Sequence, residues 1–354
     1  DGELLTKGSL PRMDLTPGES QTVTIPELKV TPEPGVEYWL NLSYRLRENA
    51  SWAEAGHEVA WAQFKLPFAA PVPEPEPGSL PPVTLTESGN DVAVSGEGFT
   101  ARFDRAAGML TSFRVGDTEL VHSGPRPFFW RAPIDNDRGN NMPQRSAVWR
   151  AASNNWVVDS TAIDQTGPSA VRLRFGGSLP DVGSTHEIIY TVYGNGEIQV
   201  DSSIQLGQAD LPEMPRFGMQ MTVPAAFDFM AWYGRGPHES YWDRKTGAAV
   251  GVYRGSVGDQ YFDYSEPQEN GNKTDVRWVS LTRSDGVGLE AIGMPLLSVS
   301  AHVYTTEDIE EAKHKHEMER RDFITLNLDY RQTGVGGEDS WGARPLPQHI
   351  LNPE

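Results

Sequence analysis

Apolar and polar residues alternate with a period of two through most of the chain. Glu37 to Leu46 puts Tyr38, Leu40, Leu42, Tyr44 and Leu46 on one face, the spacing of a half-buried strand. Gln21 to Ile25, Val59 to Leu66, Val171 to Phe175 and Asp322 to Tyr330 read as further strands. Turn residues mark the reversals. Ala107-Gly108 separates Gly98–Asp104 from Met109–Val115, and Gly194-Asn195-Gly196 separates Ile188–Tyr193 from Ile198–Ile204. Ser284-Asp285-Gly286 separates Val276–Thr282 from Gly288–Ile292. Helix signals are scarce. The pattern predicts one short helix from Thr306 to Lys313, with Thr306 placed to cap its start. The hairpins share no fixed period, so the chain is not a repeat array.

These strands predict an all-β protein in two parts. Residues 1–68 read as part of an immunoglobulin-like sandwich. A complete one takes about 100 residues and seven strands, so the expectation is a partial domain. Residues 69–82 contain Pro71, Pro73, Pro75 and Pro77 at alternate positions, which favours an extended spacer. Residues 83–354 carry the remaining strands and predict one large antiparallel two-sheet sandwich.

Composition narrows the partners. A net charge of -19 over 354 residues argues against nucleic acid or an anionic membrane as partner, since both require basic patches. No apolar run reaches the roughly 18 residues of a membrane span. The absence of cysteine removes disulfides and thiolate zinc sites and leaves the compartment open, cytoplasmic or periplasmic. Ten tryptophans, 35 glycines and 27 prolines suit a turn-rich β-protein.

Candidate chemistry lies on the turns. Gly334-Val335-Gly336-Gly337-Glu338-Asp339-Ser340-Trp341-Gly342 carries two acids and one large aromatic on a glycine-rich loop. Trp341 suits stacking on a sugar ring, but spacing alone favours a plug between loops, because tryptophan is mostly buried. Arg131-Ala132-Pro133-Ile134-Asp135-Asn136-Asp137-Arg138 reads as a loop braced by Arg–carboxylate pairs in preference to a calcium loop, because the spacing and final Glu of an EF-hand are missing. Trp232 to Arg244 is either a carbohydrate-facing surface or a corner that locks Asp243 to Arg244 or Arg235. His314 and His316 are two residues apart with no third ligand evident, which favours exposed histidines over a metal site. No nucleophile elbow, H-E-x-x-H or P-loop is present. A glycosidase carboxylate pair cannot be chosen from 49 acids by sequence.

Taken together and in order, these motifs resemble the C-terminal part of the large β-galactosidases of glycoside hydrolase family 2. The resemblance rests on Arg131 to Asp137, Trp232 to Tyr241, Gln268-Glu269-Asn270-Gly271 and Gly336 to Trp341, with Pro215-Arg216-Phe217-Gly218 as a weaker match. Ser51 to His57 followed by Trp61 resembles that family's second immunoglobulin-like domain. The resemblance implies a supersandwich of the galactose mutarotase type for residues 83–354, with a final strand missing. It implies hydrolysis of terminal non-reducing β-D-galactosides with retention, by two glutamates on a TIM barrel that this chain lacks. No catalytic, cofactor or metal residue is therefore assigned here, and the fragment is expected to be inactive alone. The resemblance maps the substrate platform onto Trp341; Glu338 stands where Asp is common. It implies magnesium and sodium for the full enzyme, a barrel-bearing chain or domain as partner, and a homo-oligomer. The competing readings are a separate small subunit or carbohydrate-binding module, and an aldose epimerase using His186 with Glu187 or His238 with Glu239.

Overall fold

In the computed structural model the chain divides into two compact units, Asp1–Glu76 and Pro77–Glu354. The structure describes residues 2–353 apart from 12, 14, 27, 72–79, 338 and 340. Most of the proline-rich spacer expected at 69–82 therefore lies outside the described residues, as do Glu338 and Ser340 of the glycine-rich loop.

The first unit holds one hairpin-like pair, β1 (Trp39–Arg45) and β2 (Glu58–Lys65), antiparallel with Leu40 opposite Phe64, Leu42 opposite Ala62 and Tyr44 opposite Ala60. These six side chains share one face, as the period of two requires. Gln21 to Ile25, expected as a strand, is not one. The run is short and largely exposed, and no neighbouring strand is paired to it among the described residues, so nothing satisfies its backbone groups.

The second unit is built of three antiparallel sheets. The first comprises β3 (Thr84–Ser88), β4 (Asp91–Gly96), β5 (Phe99–Asp104), β6 (Met109–Val115) and β7 (Thr118–Glu119) in sequence order. After β8 (Ser123–Phe128) come three short helices, α1 (Asp135–Gly139), α2 (Met142–Arg145) and α3 (Ala147–Asn154). A second meander follows: β9 (Val157–Gly167), β10 (Ala170–Leu179), β11 (Ser184–Tyr193) and β12 (Ile198–Gln205). The rest is β13 (Arg216–Pro224), β14 (Phe229–Gly236), β15 (Ala249–Ser256), β16 (Lys273–Thr282), β17 (Gly288–His302), α4 (Thr306–Glu311) and β18 (Phe323–Gln332).

These last strands form a seven-stranded sheet in the order β15-β14-β16-β17-β18-β13-β8. Sequence neighbours are separated there: β13 lies between β18 and β8, at the opposite end from β14. One apolar core joins the sheets, with Phe103, Phe175 and Tyr190 meeting Val223, Met230, Trp232 and Leu326. The protein is thus all-β, with helices confined to connections.

Two expectations are corrected. Helices α1 to α3 occupy 135–154, where the sequence suggested a loop. They are too short to show an apolar period, and packing holds them, with Trp149 and Ala152 buried against Phe129, Leu179 and Met214. Helix α4 is capped by Thr305 in place of Thr306: Asp308 donates its N–H to Thr305 Oγ1 (3.1 Å) and accepts from the Thr305 N–H (2.8 Å).

Candidate functional site

The loop that follows β18 is fastened to three segments remote in sequence. Arg131 is the first anchor. Its side chain is 1% exposed, forms a bidentate pair with Asp137 (2.9 Å twice) and donates to the Thr333 and Gly334 carbonyls. Asp137 also accepts the Ile134 N–H (3.2 Å), which fixes the start of α1. Both oxygens of Asp137 are therefore engaged by protein donors, and Asn136 spends its amide on the Asp339 carbonyl (3.1 Å). The Arg–carboxylate brace expected from the sequence is present.

Asp243 is the second anchor. The sequence suggested an ion pair with Arg244 or Arg235; instead Asp243 accepts the Val335 N–H (3.0 Å) and the Gly336 N–H (2.8 Å). Arg244 pairs with Glu239, and Arg235 with Asp275. Two adjacent backbone donors satisfy a carboxylate, and a glycine at 334 is required beneath it, because a Cβ there would stand 2.5 Å from Asp243 Oδ2.

A local clamp lies within the loop itself. Asp339 Oδ1 accepts the Trp341 and Ala343 N–H groups (3.0 and 2.9 Å), which holds the Asp339 carboxyl below the usual carboxylate range, the Ala343 N–H contributing most. Gly342 has φ +116°, and a Cβ on it would meet the Gly139 carbonyl carbon at 2.5 Å. The loop thus rests directly on the end of α1. Its far side is tied by Arg344 to Glu213 (3.0 Å), which also binds Arg145 of α2. Burial opposes ionisation of Glu213, but the hydrogen bond from Arg145 and the two cationic charges hold its carboxyl below the usual range.

Against this framework Trp341 is 85% exposed, the most exposed large hydrophobic among the described residues. The neighbouring cleft, about 200 Å³, is lined by Ile134, Asp135, Tyr241, Tyr264, Glu269 and Gly337 among others. Gln268 bridges to Asp135 in both directions (3.2 Å each). Glu269 receives Arg216 Nη2 (3.1 Å) and Gln332 Nε2 (3.2 Å) in the interior. Glu239 accepts the Gly271 N–H (2.8 Å) and bonds to Tyr264. The Tyr241 hydroxyl has no hydrogen-bond partner among the described residues; burial, with the Glu269 and Glu239 charges, pushes it well above the usual phenol range. All four of the stronger sequence motifs in this unit therefore meet in one place. The weaker one, at Arg216, lies beneath them.

The pairs considered for an epimerase do not form a site. His186 is buried against Phe129 and Trp156 and bonds Ser202, while Glu187 faces away to Arg174. His238 is exposed and Glu239 is already occupied. In the first unit, Trp52 is 66% exposed and packs edge-on against His57 (5.4 Å).

Residues 95–354 match the family described as beta galactosidase small chain, and residues 1–67 match beta-galactosidase domain 4. The chain belongs to the beta-galactosidase small-chain family. Among curated relatives it is 40% identical over 315 residues to a beta-galactosidase of Priestia megaterium, covering 89% of this chain and 30% of that protein. It is 31% identical over 319 residues to one of Halalkalibacterium halodurans, covering 89% and 31%. Over 344 residues it is 31% identical to one of Streptococcus thermophilus, covering 96% and 32%. This member of the family thus spans about a third of the length of the beta-galactosidases it matches, and corresponds to their C-terminal region.

Proposed function

We propose that this chain is the barrel-free C-terminal region of a glycoside hydrolase family 2 β-galactosidase, a partial immunoglobulin-like domain followed by a mutarotase-type supersandwich. In this reading it presents Trp341 as a stacking platform to a terminal β-D-galactoside held by a catalytic barrel. The observation that carries the reading is the contrast between Trp341 and its setting. The residue is 85% exposed, while the backbone on both sides is fastened by Asp243, Asp339, Arg131 and the end of α1. A covered aromatic of this kind buries about 150–250 Å². A rigid loop that holds so much apolar surface in water is preorganised for a partner, and a sugar ring offers the matching C–H face.

The chemistry of a retaining mechanism needs two carboxylates about 5–5.5 Å apart across the glycosidic bond. Asp137, Asp243 and Asp339, described carboxylates that hold the Trp341 loop, are instead committed to structural hydrogen bonds, which supports a division of labour in which nucleophile and acid/base come from the barrel. Magnesium belongs with that barrel, and sodium with the full enzyme. This chain's own residues position the platform and exclude water above the bound sugar. The barrel-bearing region is the required partner, and the whole enzyme is a homo-oligomer in this reading.

Two measurements test it. The isolated chain gives no turnover of a chromogenic β-galactoside above blank; robust turnover overturns the assignment. In the full-length enzyme, Trp341→Ala raises KM or changes the use of acceptor sugars. Because the side chain is exposed, the variant keeps its melting temperature. Unchanged KM and acceptor use would show that Trp341 is not a platform.

A further inference from the structure

The connection between β17 and β18 carries a feature that galactoside binding does not use. After α4 the chain runs through extended His314 into a 3-10 turn, Lys315–Glu317, closed by the Glu317 N–H donating to the His314 carbonyl (3.0 Å). The turn brings His314, His316 and Glu317 together, and their ligand atoms all lie within 4.8 Å of one another. Both histidines had been visible in the sequence. The third ligand was not, because a strand would have sent Glu317 to the opposite face from His316.

The geometry is close to that of a shared metal ion. With zinc–nitrogen bonds of about 2.0–2.1 Å at a tetrahedral angle, two coordinated imidazoles keep their ring centres roughly 5 Å apart and adjacent ligand atoms roughly 3.3 Å apart. Here the His314 and His316 rings are stacked, 25° apart in plane with centres 5.3 Å apart, and His314 Nδ1 is 3.1 Å from Glu317 Oε1. The carboxylate is already oriented, since its other oxygen accepts the Lys313 N–H (2.8 Å). The intervening cation is turned away: Lys315 Nζ pairs with Asp263 (2.8 Å) and lies over the Tyr261 ring. Its charge does not occupy the cluster.

We propose that His314, His316 and Glu317 form a surface site for one divalent transition-metal ion of the zinc and copper class. Two imidazoles and one carboxylate suit these ions and disfavour magnesium and calcium, which take oxygen ligands. Three protein ligands leave a coordination position for water or for a donor from another molecule. The ion takes the place of the His314–Glu317 hydrogen bond and braces the turn that follows α4.

The test is titration of the metal-stripped 354-residue chain with Zn(II) in a non-coordinating buffer, followed by calorimetry, with Co(II) as a spectroscopic probe. The expected result is one saturable ion per chain and visible Co(II) ligand-field bands. His314→Gln and His316→Gln each weaken binding about tenfold or more, and Glu317→Gln weakens it less. All three side chains are exposed, so these variants keep their circular dichroism and melting temperature. Absence of saturable uptake by the unaltered chain overturns the proposal. So does uptake that survives unchanged in the His314→Gln/His316→Gln double variant.

Discussion

Arg131 shows how a single residue governs the candidate platform. Four of its five N–H groups reach the Asp137 carboxylate and the carbonyls that open the Trp341 loop, all without access to water. Replacing it with Met would keep the volume but strand Asp137 as a buried, unpaired charge. The expected cost is about 3–5 kcal/mol, as for other broken buried pairs, measured as a fall in the urea midpoint of the chain. A loss under about 1 kcal/mol would mean that solvent reaches Asp137, contrary to its burial. The Arg–carboxylate character of this segment was legible in the sequence, because closely spaced acids and arginines have few other ways to be buried. The partner of Asp243 was not. A carboxylate that binds two backbone N–H groups leaves no trace in residue types, so the adjacent arginines drew the assignment away from the loop some ninety residues on.

At the scale of elements, strands were easier to read than helices for a physical reason. An alternating run such as Ser184–Tyr193 writes its burial into every second residue, and the glycine turn after it fixes its partner. Helices of four to eight residues cannot display two turns of an apolar stripe, so α1 to α3 were hidden. Helix α4 was found but its cap was placed one residue late, since adjacent Thr305 and Thr306 are equivalent caps by composition. Only the reciprocal bonds with Asp308 distinguish them. Thr305→Ala is therefore expected to cost about 1 kcal/mol, seen as a lowered melting temperature, with the Arg321–Asp308 pair retained. Equal stability of the variant would mean that packing of Ile309, rather than the cap, fixes the helix start.

For the whole molecule, local hairpins were legible while the order of the seven-stranded sheet was not, because β8, β13 and β18 are paired across about ninety residues or more that carry no shared turn. That sheet buries polar groups whose titration couples to global stability. His302 is enclosed, donates Nε2–H to the Asn270 carbonyl (3.1 Å), and is pushed down to about 4 chiefly by burial; on β11 of the four-stranded sheet, burial also lowers His186 to about 4. The unfolded chain takes up these protons near pH 6.5. Between about 6.5 and 4 the unfolded state therefore binds more protons than the folded one. The stabilisation is complete above 6.5 and is lost as the pH falls towards 4, on the order of 3 kcal/mol for each histidine. Asp329 acts in the opposite sense: burial, against the pull of Arg216, raises it to about 8, so its contribution grows as the pH falls. The two effects separate in a comparison. His302→Gln preserves a hydrogen-bond donor towards Asn270 but removes the titration. Its urea midpoint should fall less steeply than that of the unaltered chain between pH 7 and 5. Parallel curves would show that His302 takes up its proton in the fold as readily as in the unfolded chain, and that its cavity is wetter than the packing of Tyr261 against it implies.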